Sequence, residues 1–477
     1  MNNNLEKKYG LFTAISMVVG IVIGSGIFFK AQNILTSTNG NMPLGILAWL
    51  IGGAIMMICA YCFATLATVY DRSTGLIDYA AEVCGHKYAY LLGWFFTVIY
   101  TPCITSTLAW VSARYTLVIF GDMDPTTGRC LALTCLFLIA SYALNFLSPV
   151  LAGKFQVSTT VIKLIPIILM AIVGTVYGLF ITPETASEPL LITNFQTWHN
   201  SGTEVLFGAV VSAAFAYEGW ILATSISGEL KDAKKNLPRA LIIGCAIVML
   251  AYILYYIGVA GGATVNTLIE NGATQAFTNI FTKAGGVILN VFVAVSCMGT
   301  LNGLVLSCSR NMYSIANRSQ GPKPKMFSQI DSYTNIPTNS AVIGLLFTAV
   351  WLFYFYAANL DNIFVATYSS DGANALVKLL GTLSADGSVY TVNWFGFDSS
   401  ELPIVALYAF YVPLFIGMTR MKELSFTKRI IFPVLAVLAS VFMVISAIYA
   451  HKWGVLYFVI VCTVIMAIGA VLRKGKE

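Results

Sequence analysis

Gly20-Ile21-Val22-Ile23-Gly24-Ser25-Gly26-Ile27-Phe28 places three glycines within seven residues, inside an apolar run that extends from about 11 to 37. A glycine in a helix costs roughly 1 kcal/mol relative to alanine, so a helix unwinds most cheaply here. The central Gly24 stands about sixteen residues beyond Lys8, near the middle of a bilayer. A later run, about 203–228, carries a matching weak point in Phe215-Ala216-Tyr217-Glu218-Gly219-Trp220. Gly20 and Gly24 also have the small-x-x-x-small spacing of close helix packing. Unwinding and packing are both open readings, and unwinding is favoured.

The rest of the chain provides the setting for those two points. Its 477 residues are 58% hydrophobic and 10% charged, with a mean hydropathy of +0.79. About a quarter of an ordinary globular domain is charged, so a water-facing surface cannot be built from this composition. The chain reads as an all-α integral membrane protein. Disorder, a disulfide-stapled module and a nucleic-acid binder are excluded, because the net charge of +6 is modest and scattered. Most of the ten cysteines fall in apolar runs, where a thiol acts as a small hydrophobe; Cys59 and Cys62 form a C-x-x-C at lipid depth with no redox or metal role expected.

Twelve apolar stretches are long enough to span, near 11–37, 43–70, 88–119, 129–149, 155–180, 203–228, 239–262, 284–316, 339–358, 401–419, 430–449 and 453–472. They are numbered helices 1 to 12 in this subsection. The first is too long for the apolar core of a cleaved signal peptide, and is expected to be retained. With the N-terminus inside, 20 Lys and Arg fall on the inner side and four on the outer, with Lys30, Arg114 and Lys163 within helices. That asymmetry predicts a multi-pass protein of the cell (plasma or inner) membrane with both termini cytoplasmic. The outer loop 359–400 is the least regular part, with room for a short re-entrant piece.

Charges at membrane depth mark functional candidates. Glu218 is the one carboxylate read as well inside a helix. Lys163, nine residues beyond Lys154, lies about 13 Å in. Lys30 and Arg114 sit near outer helix ends and read as interfacial side chains reaching for water. The three histidines, His86, His199 and His451, fall in loops on this reading.

If helices 1–10 form two five-helix repeats of opposite topology, 11–180 and 203–420, with 430–472 as two additional helices, then helices 1 and 6 occupy corresponding positions. Interrupted helices in equivalent places point to a transporter's binding site. Past its break, helix 1 offers the free N–H groups of Ser25, Gly26 and Ile27 to a carboxylate. Helix 6 ends its first half in carbonyls near Ala214, Phe215 and Ala216 that accept from an ammonium. Ile23 to Ile27, with Ala214, Phe215, Ala216 and Glu218, are therefore the candidate substrate-binding residues, and a zwitterion such as an α-amino acid is the ligand expected.

These residues, together with Gly228-Glu229-Leu230-Lys231, Asn236-Leu237-Pro238-Arg239-Ala240, Ser296-Cys297-Met298-Gly299-Thr300-Leu301-Asn302-Gly303 and Ser309-Arg310, resemble the L-type amino acid transporter family of the amino acid-polyamine-organocation superfamily. The resemblance covers essentially the whole chain. It implies a leucine-transporter-like fold of 12 transmembrane helices, a 5+5 inverted repeat plus two peripheral helices with helices 1 and 6 unwound. It also implies sodium-independent exchange of small neutral L-amino acids such as alanine, serine and cysteine, with no cofactor and no metal. In sodium-coupled relatives of the fold a cation ties helix 1 to helix 8. The resemblance suggests that the Lys163 ammonium replaces it, bonding carbonyls near Gly20 to Ile23 and the hydroxyls of Ser296 and Thr300. The alternative is proton coupling through a lysine whose pKa burial lowers. Phe215 matches an aromatic gate, and Tyr408 falls at another gating position.

The departures from the family pattern bear on substrate and partners. Relatives carry Gly, Ser or an acid at the Glu218 position, and an acid there could admit cationic substrates; bracing of the unwound segment is the favoured role. Animal relatives pair with a glycoprotein subunit through a cysteine between helices 3 and 4. Gly121 to Arg129 has none, and no such disulfide-linked partner is expected. A proton-coupled symporter is the nearest rival. A membrane-embedded enzyme would need a nucleophile with its base, a metal cluster or paired carboxylates, and the sequence shows no catalytic residue of that kind. No ring of charges or carbonyl filter motif supports a channel.

Overall fold

The computed structural model describes residues 10–70, 75–122, 124, 126–182, 188–196, 204–221, 230–331, 336–384 and 386–473. His199, Arg72 and the Gly228-Glu229 part of the quoted loop lie outside them. The first long apolar run forms two helices, α1 (Leu11–Val22) and α2 (Gly26–Ser37), bent by 53° across a three-residue break. Ile23 leaves the helix with an extended backbone, ψ 100°. Ser25 returns to helical angles, and the amide of Phe28 bonds back to its carbonyl at 3.0 Å. Unwinding thus occurs at 23–25, while Gly20 serves close packing, since a Cβ there would lie 2.9 Å from the Thr160 methyl.

The following spans are α3 (Met42–Val69), α5 (His86–Ile119), α6 (Gly128–Leu147) and α7 (Leu151–Phe180), with the short α4 (Leu76–Cys84) joining α3 to α5. Local chemistry sets their starts. Asn41 caps α3, accepting the Leu44 amide at 3.1 Å with Pro43 in the first turn, and Thr127 accepts the Cys130 amide ahead of α6. After α8 (Leu190–Gln196) comes α9 (Glu204–Ala216), then α10 (Ala233–Ala260), α11 (Val265–Asn271) and α12 (Ala273–Asn317). A kink at Phe281 and Thr282, where Thr282 has φ 66°, divides a short leading piece of α12 from the expected 284–316 span. The remaining helices are α13 (Thr338–Leu360), α14 (Ala375–Leu380), α15 (Leu402–Met418), α16 (Thr427–His451) and α17 (Trp453–Leu472).

Among the described residues nine helices are long and apolar enough to cross a bilayer, and α1 with α2 make a tenth if counted as one bent span. The shorter apolar α9 and α15 add to these. The protein is therefore a multi-pass membrane protein. The 359–400 segment is a three-stranded antiparallel sheet rather than a re-entrant piece. β1 (Val365–Ser369) and β2 (Thr382–Leu383) flank β3 (Val389–Asn393), with Thr367 opposite Thr391 and Thr382 opposite Thr391 on the other edge. At the tip the Asp386 carboxylate accepts from the Ser384 and Ser388 hydroxyls at 2.5 and 2.8 Å, which holds its pKa down at about 2.

Candidate functional site

The break between α1 and α2 touches the end of α9. α9 ends at Ala216, and Gly219 follows with φ +107°, a conformation costly for any residue with a side chain. A Cβ on Gly219 would lie 3.3 Å from the Ile21 carbonyl oxygen, and one on Gly26 only 2.8 Å from the Ala216 Cα. Glycine at both places lets the unwound end of α9 lie directly on the gap between α1 and α2. Tyr252 of α10 holds the junction, its hydroxyl proton shared between the Val22 carbonyl (3.2 Å) and the Ala216 carbonyl (3.1 Å). These are the last carbonyls of α1 and α9, groups a helix cannot satisfy by itself. Below them Trp49, Tyr217 and Tyr252 form an aromatic cluster with centroids 5.2–5.6 Å apart, and the Tyr217 hydroxyl donates to the Trp49 carbonyl at 3.0 Å.

A cavity of about 310 Å³ opens against this junction. That volume sits at the lower end of the usual range for small-molecule sites, about 300–1,000 Å³. Gly24, Ser25 and Gly26 form one wall, and Phe215, Ala216 and Glu218 another. Ser25 is buried, and its hydroxyl has no nitrogen or oxygen partner among the described residues. The amides at the start of α2 on one wall and an aromatic ring with a carboxylate on the other suit a small dipolar ligand.

Three of the nine proposed contact residues do not reach the cavity. Ile23, Ile27 and Ala214 are at most 2% exposed and belong to the packed core, because unwinding turns only one side of each break toward the space. Lys163, Gly20 and Thr300 do line it. The Lys163 ammonium donates to the Gly20 carbonyl at 2.5 Å. The expected bonds to helix 8 are not formed: Thr300 donates its hydroxyl to the Ser296 carbonyl at 3.1 Å, and the Ser296 hydroxyl, buried away from the cavity, is unpartnered among the described residues. Tyr408, expected at a gating position, lies in α15 as expected but does not line the cavity. At 1% exposure it packs 5.6 Å from the Tyr411 ring within the core, off the cavity wall.

Several residues of the wall escaped the sequence reading. Tyr100 lies in a π-helical turn, Phe96–Tyr100, and donates to Glu218 at 2.5 Å. The signal was Tyr100-Thr101-Pro102: a proline inside a span removes one helical donor, and the freed Val98 carbonyl is taken by the Trp351 indole at 2.7 Å. Gln156 joins the cavity to a buried amide chain, accepting from Asn302 at 3.3 Å while Asn302 accepts from Asn145 at 2.8 Å.

The largest correction concerns Lys30. It does not reach for water but is 2% exposed, paired with Glu401 at 2.5 Å. Glu401, at the start of α15, is thus a second buried carboxylate beside Glu218. His451 is the last residue of α16, not a loop residue, and bonds the other Glu401 oxygen at 3.1 Å; His86 opens α5. Arg114 is half-buried with its guanidinium 5.6 Å from the Trp110 ring.

A family model described as amino acid permease matches residues 9–470. The serine/threonine exchanger SteT of Bacillus subtilis is 32% identical over 333 residues, covering 69% of this chain and 72% of that protein. The human b(0,+)-type amino acid transporter 1 is 27% identical over 96% of this chain and 86% of its own length. The mouse Asc-type amino acid transporter 1 is 28% identical over 70% and 62% respectively. These relatives are transporters, not enzymes, which sets aside the membrane-embedded enzyme. A chain matched almost end to end by the permease model, with the break between α1 and α2 meeting the end of α9 at a small, largely apolar cavity, belongs to the amino acid permease family of the amino acid-polyamine-organocation superfamily, on its L-type transporter side.

Proposed function

We propose that the protein is a sodium-independent exchanger of small neutral L-amino acids such as alanine, serine and cysteine, working by alternating access. The observation that carries this reading is the Lys163 bond to Gly20 beside the α1–α2 break. A cation tethered to the chain stays when substrate leaves, so no dissolved ion is needed to tie the broken helix to its neighbour. The carboxylate of the substrate meets the amides of Ser25 and Gly26, its ammonium meets the end of α9, and its side chain faces Tyr100, Ile104 and Glu218. The twelve-span, 5+5 arrangement and cytoplasmic termini form the frame of the same proposal. Cys130, the cysteine nearest the α5–α6 loop, is buried, in keeping with a protein that works without a disulfide-linked subunit.

Exchange makes a sharp demand: labelled alanine enters proteoliposomes only when they hold internal amino acid. Uptake into empty vesicles driven by an imposed proton gradient would establish the symporter instead. Lys163→Ala is expected to slow exchange about tenfold or more, the scale of one buried charged hydrogen bond. A folded variant with unchanged uptake would remove Lys163 from the mechanism.

A second reading rests on Glu218. Its carboxylate occupies the cavity with one oxygen held by Tyr100, and cationic amino acids are the substrates such a group would admit. Competition of alanine uptake by arginine distinguishes a carboxylate that receives substrate from one that only braces the break.

A further inference from the structure

Three side chains from three elements meet on the carboxylate of a fourth, Glu401. Lys30 of α2 and Ser212 of α9 both donate to Glu401 Oε1, at 2.5 and 2.7 Å, and His451 of α16 faces Oε2 at 3.1 Å. The side chains of Lys30 and Glu401 are 2% and 7% exposed, and that of His451 is 17% exposed. The Glu401 backbone is itself held: its amide, with the amide and hydroxyl of Ser400, donates to Asp398 Oδ1 at 2.6–2.9 Å, so the turn from the sheet into α15 presents the carboxylate in one place. The mechanism above uses none of these groups.

The position of the cluster relative to the cavity gives it a role. The Lys30 ammonium lies 4.7 Å from the centre of the Phe215 ring, and Phe29 packs edge-on to the same ring at 5.3 Å. Phe215 lines the cavity on the side where α2 and α9 run toward the sheet-bearing face. A ring held between a cation and an aromatic edge is a fixed roof, and the cation is fixed by Glu401. Glu401 joins α2 to α9, so parting them breaks either the Ser212 bond or the Lys30 pair, and breaking the pair leaves both charges in a low-dielectric interior unless water follows.

We propose that Glu401 is the hub of a latch in which Lys30 holds the Phe215 roof over the cavity, and that the peripheral helix α16, through His451, sets how readily the latch lets go. Lys30, Glu401 and His451 are then positioning residues, acting through Phe215. α16 carries no cavity residue, yet its last residue satisfies the carboxylate oxygen that Lys30 leaves free. When that contact is lost, Glu401 keeps an unsatisfied oxygen, and water entering to solvate it competes with Lys30. The biological meaning rests on the exchanger reading; the geometry of the roof does not.

The test therefore uses a readout that needs no substrate. The full-length protein bearing Ile404→Cys, a cavity-wall position, is reconstituted and exposed to a membrane-impermeant thiol reagent on the face that carries the β1–β3 sheet, against the parent with its native cysteines. Lys30→Met with Glu401→Gln removes both charges together and avoids stranding either one. With that double change the added thiol is expected to label at least about fivefold faster, and with His451→Gln about twofold faster, while Lys30→Arg stays slow. Labelling at the rate of Ile404→Cys alone in a folded, monodisperse protein carrying the double change overturns the latch, and an unchanged rate on adding His451→Gln overturns the role of α16. The labelling pattern in the Ile404→Cys series together with a wild-type protein that exchanges no amino acid would count against the transport reading alone.

Discussion

Tyr252 shows how much one hydroxyl decides. It is fully buried, and its single proton is shared by the terminal carbonyls of two helices that have no other reason to end together. Tyr252→Phe keeps the ring against Trp49 and Tyr217 but leaves two buried carbonyls poorly satisfied, costing about 1–3 kcal/mol. The expected result is exchange about tenfold slower with little loss of folded protein, read by labelled alanine uptake beside a thermal unfolding curve. Tyr252 was not legible in the sequence, because a tyrosine in an apolar span reads as packing until its partners, more than thirty residues away at the nearest, are known. Lys163 and Glu218 were legible for the opposite reason, since a charge at lipid depth needs an explanation wherever it sits. Their partners were less so: Gly20 was expected for Lys163 and found, the Ser296 and Thr300 hydroxyls were expected and are engaged elsewhere or unpaired.

The α1–α2 break and the end of α9 have separate causes that a pair of substitutions can tell apart. Gly26→Ala meets the Ala216 backbone, so the two unwound ends must separate, whereas Gly219→Ala is strained by its own φ of +107°. Gly26→Ala is expected to abolish exchange in a protein that still folds, because the conflict lies within the binding region. Gly219→Ala is expected to cost about 1–2 kcal/mol of stability as well, from left-handed backbone alone. Equal thermal stability in the two variants would contradict that division. Helix placement was the most readable level of the chain, since an apolar run between basic loops admits few alternatives. Where reading failed, the missing information was three-dimensional. The kink at Thr282 has no proline to announce it, and the strands of 365–393 are short and set among polar residues.

For the molecule as a whole, burial of the Lys30–Glu401 pair sets a stability expectation. Lys30→Met alone strands a carboxylate that already has His451 and Ser212 as partners, and is expected to cost about 3–5 kcal/mol, with most of it regained when Glu401→Gln is added. Unfolding curves of the single and double variants in one detergent measure this, and an additive loss would mean that the two residues act independently. Nothing local hints at the pair. Lys30 and Glu401 stand 371 residues apart, and an isolated basic residue near a helix end has an ordinary explanation in water.

The β2–β3 tip offers an external handle. Gly387 has no neighbour within 4 Å of where a side chain would project, and Asp386 beside it is tied, among the described residues, only to Ser384 and Ser388. An epitope spliced in after Gly387 therefore disturbs no span, and antibody staining of intact cells would report which way the polypeptide is threaded. Staining without permeabilisation is the result that the distribution of lysine and arginine demands; a signal that needs detergent would turn the whole arrangement upside down.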